Sequence, residues 1–447
     1  MRKLDRVQSI ARTNFFEHRR DTGFFLCIFV EYLKLLWYDE RKNWGNLKVN
    51  IPHFIDRDDY LQNPIMRKFL KLNNISLAQN RADYIHALEE YSNEDTEKAQ
   101  KVEDFLLKVI KEGTKDLCYR QIQNIKEWNK NPDLVKNKID EKYPDCPKSN
   151  ILHYRNTQER ELIDYQIKTN ENGLVSKIEF VFSRLFLCGE AGETGDLVPF
   201  PVFVDVYLDE GFVVSRGKAK TTMYYKCEDD ILVTQNGVNS MDYAVTAIDA
   251  VIELLDAETE REPAIVKRYV YEKLYNIYNL YSFTPEKVEE MVNKEQERVE
   301  SFVNGFFSEL GLNPRNMDKA RLDANILIEK FVSINGNNED IFKNDRAAYL
   351  TKVRADDEVE LTRVDTASNR TVPLQCTEAF FDGKKSVIKS KQCKKLDLVF
   401  KRQDEAYQKG NPLEVQFGVR KNYGYIKFRQ YAEEGDIQNV LQTIFRS

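Results

Sequence analysis

Two carboxylates and an amide near the C-terminal end of the chain have a spacing that could bind a metal ion. Asp397 lies in the apolar run Leu396–Phe400, and Glu414 and Gln416 lie in the run Pro412–Gly418. A polar loop ending in Gly-Asn-Pro joins the two runs, which favours a β-hairpin. Strand side chains alternate between faces, so Glu414 and Gln416 point the same way. If the strands pair, the three side chains meet on one small sheet and form an oxygen-rich site suited to Mg²⁺.

The charge of the surrounding segment suits a polyanionic substrate. Residues 382–430 contain 13 Lys and Arg but 5 Asp and Glu, whereas the whole chain has a net charge of −6. Basic residues around a carboxylate pair attract phosphates while the carboxylates hold the metal. A solvated surface would have the same composition, and strand carboxylates often face water, so this alternative stays open.

The same residues resemble the pattern of the PD-(D/E)XK nucleases. Asp397 is followed after 16 residues by Glu-Val-Gln-Phe-Gly (414–418) and then by an aromatic and lysine-bearing segment, 423–428. The pattern is most similar to the Bgl-type restriction-endonuclease branch, in which glutamine replaces the usual lysine. The resemblance covers about 40 of the 447 residues. It implies a metal-dependent phosphodiesterase core of mixed strands flanked by helices.

The resemblance also implies roles for individual residues. Asp397 and Glu414 would bind Mg²⁺, with Mn²⁺ as a substitute, and Gln416 would take the place of the lysine that orients the attacking water. Glu378 in the segment CTEAFFDG is the candidate for an additional acid from an upstream helix. Two features depart from the family pattern: no proline precedes Asp397, and Gln416 lacks the positive charge of the usual lysine.

Double-stranded DNA is the partner that this interpretation predicts. Five basic residues near the acids would hold its phosphate backbone and make binding salt-dependent: Lys394, Lys395, Arg420, Lys421 and Lys427. A restriction-type enzyme would be a homodimer on a palindromic site. The lead hypothesis is therefore a Mg²⁺-dependent DNA endonuclease of the restriction or phage-defence type.

The order of periodic segments predicts a multidomain α+β protein. Residues 1–145 form a helical domain, 146–260 a β-rich α+β domain, 261–340 a helical connector, and 341–447 a C-terminal α/β core of the restriction-endonuclease type. Within the first domain, helices are expected over Ile65–Leu72, Arg81–Tyr91 and Glu94–Lys111, followed by a helical segment through Lys126. A single helix is expected from Thr284 to about Leu310.

Composition predicts a cytoplasmic protein without a membrane anchor. The seven cysteines are scattered and contain no C-x-x-C pair, which is typical of reduced thiols and gives no zinc signature. The most apolar run, Gly23–Val30, is interrupted by Glu31 and Lys34 before it reaches the roughly 20 residues that span a bilayer. The segment Thr22–Tyr38 is therefore expected to be a buried helix.

Two other functions compete with the endonuclease. The first is a non-catalytic, nucleic-acid-binding sensor or scaffold of a defence system that retains a degraded nuclease fold. The second rests on Arg81 and His86, which have the R-x4-H spacing of the helical HEPN ribonucleases. In that family the two residues act on RNA without metal, although ordinary helix-surface residues account for the same spacing.

Overall fold

The computed structural model describes most of the chain from residue 51 onward. The described ranges are 51–52, 54–55, 60–76, 80–148, 150–189, 195–219, 223–226, 237–335, 339–344, 346–357, 362–402 and 411–447. The helix expected over Thr22–Tyr38 lies outside these residues, as does most of the loop expected between the two strands of the predicted hairpin. No helix in the described ranges is long and apolar enough to cross a membrane.

Twelve α-helices are defined in the described ranges. They are α1 (Asn63–Leu72), α2 (Arg81–Ser92), α3 (Thr96–Lys111), α4 (Pro132–Lys142), α5 (Ser240–Leu254), α6 (Pro263–Ser282), α7 (Glu286–Asn293), α8 (Gln296–Glu309), α9 (Met317–Ile334), α10 (Glu339–Asn344), α11 (Glu378–Ser390) and α12 (Glu434–Arg446).

Thirteen β-strands accompany these helices in the same ranges. They are β1 (Lys115–Gln121), β2 (Glu161–Thr169), β3 (Val175–Ser183), β4 (Leu185–Cys188), β5 (Asp196–Pro199), β6 (Val202–Tyr207), β7 (Phe212–Lys218), β8 (Met223–Tyr224), β9 (Ala348–Asp357), β10 (Thr362–Ala367), β11 (Lys395–Phe400), β12 (Leu413–Arg420) and β13 (Tyr423–Phe428).

Ten of the strands form one antiparallel sheet. Its order is β10-β9-β11-β12-β13-β1-β7-β6-β3-β2, and each neighbouring pair is antiparallel. The predicted α+β class is confirmed, as is the predicted hairpin, which is formed by β11 and β12. The mixed strand directions that the family resemblance implies are not found in this sheet.

Strand β1 corrects the prediction that residues 1–145 are helical. The segment Lys115–Gln121 was expected to belong to a helical stretch, but it lies in the middle of the sheet between β13 and β7. Because both faces of a central strand are covered, six of its seven residues are buried and the alternation that marks a strand is lost. The sheet is therefore continuous between the predicted 146–260 and 341–447 segments, which share one set of hydrogen-bonded strands.

The predicted helices α1, α2 and α3 are confirmed to within a few residues at their ends. The single helix expected from Thr284 to Leu310 is wrong. Two helices, α7 and α8, occupy this stretch and are separated by Lys294 and Glu295. Pro285 precedes the first of them as the N-cap residue, without a side-chain capping bond.

One face of the β9–β1 half of the sheet forms the hydrophobic core with helices α6, α11 and α12. Leu396, Leu398 and Phe417 from the predicted hairpin are fully buried there. Burial of each such side chain stabilises the fold by about 1.5–3 kcal/mol. We call this side the core face. Alternation along β11 and β12 then directs Asp397, Glu414 and Gln416 to the opposite side, which we call the polar face.

A buried carboxylate, Glu112, connects the end of α3 to the start of α12. Its oxygens accept hydrogen bonds from the backbone N–H of Glu434 (2.9 Å) and from the hydroxyl of Tyr431 (3.2 Å). Burial raises the pKa of Glu112 from 4.5 to about 7, although these bonds and the charge of Lys108 act in the opposite direction. The folded protein therefore holds a proton on Glu112 that the unfolded chain releases at lower pH.

Replacement of Glu112 is expected to stabilise the protein at alkaline pH. The wild-type protein should lose stability as the pH rises from 4.5 to about 7, and Glu112→Gln should remove this loss. The full shift corresponds to about 3 kcal/mol, from about 1.4 kcal/mol for each pKa unit. Urea unfolding at pH 8 should show Glu112→Gln to be more stable than wild type, with no gain at pH 4.5. Glu97→Gln, on the exposed side of α3, is the control; an equal gain in both variants would contradict this account.

Candidate metal centre

A row of polar side chains crosses five strands on the polar face. Consecutive members are direct cross-strand partners in the antiparallel register. From β9 to β1 the row consists of Lys352, Asp397, Gln416, Lys427 and Asp116. We call this set the polar row. It alternates cations and carboxylates around a central amide, so each charged group lies near a group of opposite charge or a hydrogen-bond donor.

The centre of the row is a buried contact between a carboxylate and an amide. The Nε2 of Gln416 donates a hydrogen bond of 3.0 Å to Oδ1 of Asp397. Both side chains are buried, with 7% of Asp397 and 5% of Gln416 exposed. A buried carboxylate requires such donors, because its desolvation is otherwise costly. The predicted pairing of these two residues across the hairpin is confirmed.

Glu414 lies two residues before Gln416 on the same strand and therefore on the same face. It is a diagonal neighbour of Asp397, because Gln416 is the direct cross-strand partner of Asp397. Its Oε1 lies 3.6 Å from Nε of Arg429, and the Glu414 side chain is 23% exposed. Glu414 is thus more accessible than Asp397.

Positive charge flanks the two acids at the β13 side of the row. Nζ of Lys427 lies 3.8 Å from Oδ2 of Asp116, and the lysine is 36% exposed. Burial raises the pKa of Asp116, and the charges of Lys427 and Arg429 offset part of this effect. Burial also raises the pKa of Tyr425, to which the negative charges of Asp397 and Asp116 add. Lys427 and Asp116 therefore form an ion pair at this end of the row, whereas Lys352 at the other end lies 3.1 Å from Oδ1 of Asp365 on β10.

Two further lysines of the predicted DNA-binding set lie at the start of β11. Lys395 is half-buried and is two residues from Asp397 on the same strand, so it belongs to the polar face. The ammonium group of Lys394 lies 5.7 Å from the ring centroid of Tyr271 on α6. Since α6 packs on the core face, Lys394 is directed away from the acids.

Arg420 and Lys421 are held by an acid at the start of α5. The carboxylate of Asp242 accepts hydrogen bonds from Lys421 (2.8 Å), from Arg420 (3.3 Å) and from the Tyr423 hydroxyl (2.6 Å). Burial alone would raise the pKa of Asp242, but these three donors outweigh it and lower the pKa. The two basic residues are therefore partly neutralised, which the sequence pattern did not indicate.

The structure does not bring Glu378 to the other acids. Glu378 is the first residue of α11, its side chain is 70% exposed, and it lies 3.6 Å from Lys330 of α9. Helix α11 buries Phe380 and Val387 in the core face together with Leu396. Glu378 is thus on the opposite side of the sheet from Asp397 and does not join the other acids.

Arg81 and His86 also have separate surroundings. Arg81 donates hydrogen bonds to the carbonyl oxygen of Leu61 (2.7 Å) and to Oδ1 of Asn63 (2.9 Å). Nε2 of His86 lies 3.2 Å from Glu90, one turn further along α2, and the imidazole is 70% exposed. A separation of five residues places two side chains about 140° apart around a helix. The pair therefore does not form a joint site within this chain.

The pair of acids Asp397 and Glu414 on the polar face fits Mg²⁺ when part of the coordination shell comes from elsewhere. In the described ranges, no three His, Cys, Asp or Glu side chains are grouped so that they could hold a metal ion. Mg²⁺ is commonly held by one or two carboxylates, with water and substrate phosphate completing the shell. Asp397 and Glu414 would offer two oxygen ligands from one face, which is the smaller set that this ion accepts.

Sequence patterns did not indicate Lys352 and Asp116 as members of the site. Lys352 lies on β9 and Asp116 on β1, and both come from segments remote from the hairpin in the chain. Lys352 and Arg354 alternate with apolar residues on β9, and this alternation is the sequence signal that could have identified Lys352. For Asp116 the fully buried strand gives no comparable signal.

Comparisons with known proteins give no family for this chain: no family model matches it, and no curated protein matches it.

The bond between Asp397 and Gln416 is expected to show a measurable coupling energy. A hydrogen bond to a charged group contributes about 1.5–3 kcal/mol, so Gln416→Ala should destabilise the protein by a similar amount. A double-mutant cycle with Asp397→Ala, measured by urea unfolding in EDTA, isolates the pairwise energy. The matched cycle for Glu414 and Arg429, which are farther apart and more exposed, should give less than about 1 kcal/mol. Equal coupling in the two cycles would contradict the assigned contact.

Proposed function

We propose that this chain is a Mg²⁺-dependent endonuclease that hydrolyses phosphodiester bonds in double-stranded DNA. The observation that carries the proposal is the placement of Asp397, Gln416 and Glu414 on one face of the β11–β12 hairpin, with the first two in direct contact. This is the arrangement expected from the resemblance to the PD-(D/E)XK nucleases. Those enzymes act in restriction or phage defence, and we propose the same setting for this chain.

Asp397 and Glu414 would hold the metal, with Mn²⁺ able to replace Mg²⁺. When bound, such an ion lowers the pKa of a coordinated water and stabilises the negative charge that develops on a phosphate. The two protein ligands have different tasks. Asp397 is buried and fixed by Gln416, so it sets the position of the site, whereas the more exposed Glu414 faces the substrate.

Gln416 would position the attacking water by hydrogen bonding. An amide does not accept a proton at neutral pH, so Gln416 cannot be the general base. The positive charge that the usual lysine supplies is instead available from Lys427, the direct cross-strand neighbour of Gln416. Lys427 is 36% exposed and could contact a phosphate oxygen without leaving the polar row.

The DNA backbone would lie along the polar face. By strand alternation Lys395, Lys427 and Arg420 share this face with the acids, and Arg429 adjoins Glu414. Arg420 and Lys421 would contribute less, since Asp242 already binds both side chains. A homodimer that acts on a palindromic site is the assembly that the restriction-type resemblance favours.

A second candidate is a non-catalytic, nucleic-acid-binding sensor or scaffold. The observation that favours it is the burial of Asp397, whose Oδ1 is engaged by Gln416, together with the absence of a group of three potential metal ligands in the described ranges. Such a protein would bind DNA through Lys427 and its neighbours without cleaving it.

The wild-type protein is expected to cut plasmid or phage DNA with Mg²⁺ or Mn²⁺ and to lose this activity in EDTA. Asp397→Asn and Glu414→Gln should each reduce cleavage at least a hundredfold while DNA binding persists, because both changes remove a ligand charge and preserve shape. Agarose electrophoresis of the products measures the activity, and discrete fragments would indicate sequence specificity.

Asp164→Asn is the matched control for these variants. It replaces a partly buried aspartate on β2, at the far edge of the same sheet, and should leave cleavage unchanged. Absence of cleavage with either metal on modified and unmodified DNA would overturn the endonuclease proposal. If the same protein still bound DNA, the scaffold would be the better account.

Lys427→Gln is expected to weaken DNA binding by an amount that depends on salt. Loss of one phosphate contact should reduce the slope of log K against log salt concentration by about 1. Fluorescence anisotropy with duplex DNA in EDTA provides the measurement. Lys142→Gln, a lysine of equal exposure (36%) on α4, is the control and should leave the slope unchanged. If wild type and Lys427→Gln have the same slope, Lys427 does not contact the DNA backbone.

A further inference from the structure

A separate cavity of about 720 Å³ opens on the core-face side of the sheet, where β1 begins and β7 ends. Its walls include Arg81 from α2 and Asn63 at the start of α1, together with the strand residues Lys115 and Lys218. Strand alternation places Lys115 on the side opposite to Asp116 of the polar row. The cavity is therefore independent of the candidate metal centre.

Two lysines face each other across the β1–β7 pair within this cavity. Lys115 and Lys218 are direct cross-strand partners, and their ammonium groups lie 4.8 and 4.4 Å from the ring centroid of Tyr60. Like charges directly opposite each other destabilise an antiparallel pair. The aromatic ring supplies partial compensation, because its face attracts cations.

Burial of the Lys115 ammonium group costs free energy at this position. It is 1% exposed, and its ammonium group donates a hydrogen bond of 2.5 Å to the carbonyl oxygen of Ile110. No ion pair of Lys115 is found within the described part of the chain. Burial and the charges of Lys218 and Arg216 hold the pKa of Lys115 well below 10.5. An anion in the cavity would offset this cost directly.

The remaining walls also favour a negative ligand. The guanidinium of Arg81 is fixed at the rim by Leu61 and Asn63. Helix α1 begins at the same wall without a side-chain cap, so its N-terminal dipole adds positive potential. Glu112 is the one carboxylate among the described residues that line the cavity, and its oxygens are bonded to the backbone of Glu434 and to Tyr431.

A neighbouring cavity shows the contrast. It has a volume of about 390 Å³ and is lined by Lys111 together with the acids Glu179, Asp205 and Glu434. There Nζ of Lys111 lies 3.2 Å from Glu179. Among the described lining residues, the larger cavity has three cations and one carboxylate, and the smaller has two cations and five carboxylates.

We propose that the larger cavity binds the phosphate group of a small molecule of nucleotide size. Lys115 and Lys218 would contact phosphate oxygens from the strands, and Arg81 would approach them from the opposite wall, where its planar fork suits phosphate geometry. A volume of about 720 Å³ exceeds what inorganic phosphate fills and lies within the range of pockets that enclose drug-sized ligands.

Calorimetric titration of the full chain with inorganic phosphate, AMP and ATP tests this proposal. At least one of these probes should bind, and Lys218→Gln should weaken binding at least tenfold. Lys115→Met should also weaken binding, yet it should raise the melting temperature of the ligand-free protein because a buried charge is removed. A lysine with a structural role alone would not combine a loss of ligand affinity with a rise in melting temperature on replacement. If AMP or ATP binds and inorganic phosphate does not, the ligand is a nucleotide. If inorganic phosphate binds as tightly as AMP and ATP, the cavity is a site for free phosphate.

Lys168→Gln, a strand lysine outside the cavity, is the control and should bind as the wild type does. Three results would overturn the proposal. The first is that no probe binds at millimolar concentration, and the second is that wild type and Lys218→Gln bind the probes with equal affinity. The third is that Lys218→Gln loses affinity for duplex DNA but not for the small-molecule probes. The DNA-cleavage assay is a separate readout, so failure of this site and failure of the endonuclease proposal can be told apart.

Discussion

The register between β11 and β12 is the constraint on which the candidate site depends. It places Asp397 opposite Gln416 and leaves Leu396 and Phe417 paired on the core face. A slip of one residue would turn the acids into the hydrophobic core and the apolar side chains to the polar face. Burial of the apolar set therefore fixes the positions of the polar set. The same register brings Lys427 beside Gln416 through the adjoining pair with β13.

The sequence predicted the part of the site that is local in the chain. Alternation in the two runs around Asp397 and Glu414 was sufficient to pair them, because hairpin strands are close in sequence and one face is polar. The strands that complete the polar row are remote in the chain, and no local rule selects them. Burial on both faces of β1 removes the alternation that predicts a strand, so the sequence of this segment favours a helix. The side of the sheet on which Glu378 lies is not predictable from local sequence, because a helix can pack on either face and the apolar stripe of α11 selects the core face.

The continuous sheet also changes the view of the chain as a series of domains. Strands between residues 115 and 218 extend the same sheet as those between 348 and 428. The pairing of β1 with β13, from Asp116 opposite Lys427 to Tyr119 opposite Gly424, joins the two parts, and Glu112 adds a contact to α12. The two faces of this sheet have different chemistry. The polar face combines carboxylates with lysines, whereas the described residues that line the cavity at Lys115 include three cations and one carboxylate.

We propose that Asp397 and Glu414 bind a metal ion, and Mn²⁺ titration followed by electron paramagnetic resonance measures this binding. The free ion has a strong signal that decreases on binding, so affinity is measured without any DNA or cleavage step. We expect the wild-type protein and Asp164→Asn to bind Mn²⁺, and Asp397→Asn and Glu414→Gln each to lose at least tenfold in affinity. Equal affinities in all four proteins, or no binding by the wild type at millimolar Mn²⁺, would show that the two acids do not hold the ion.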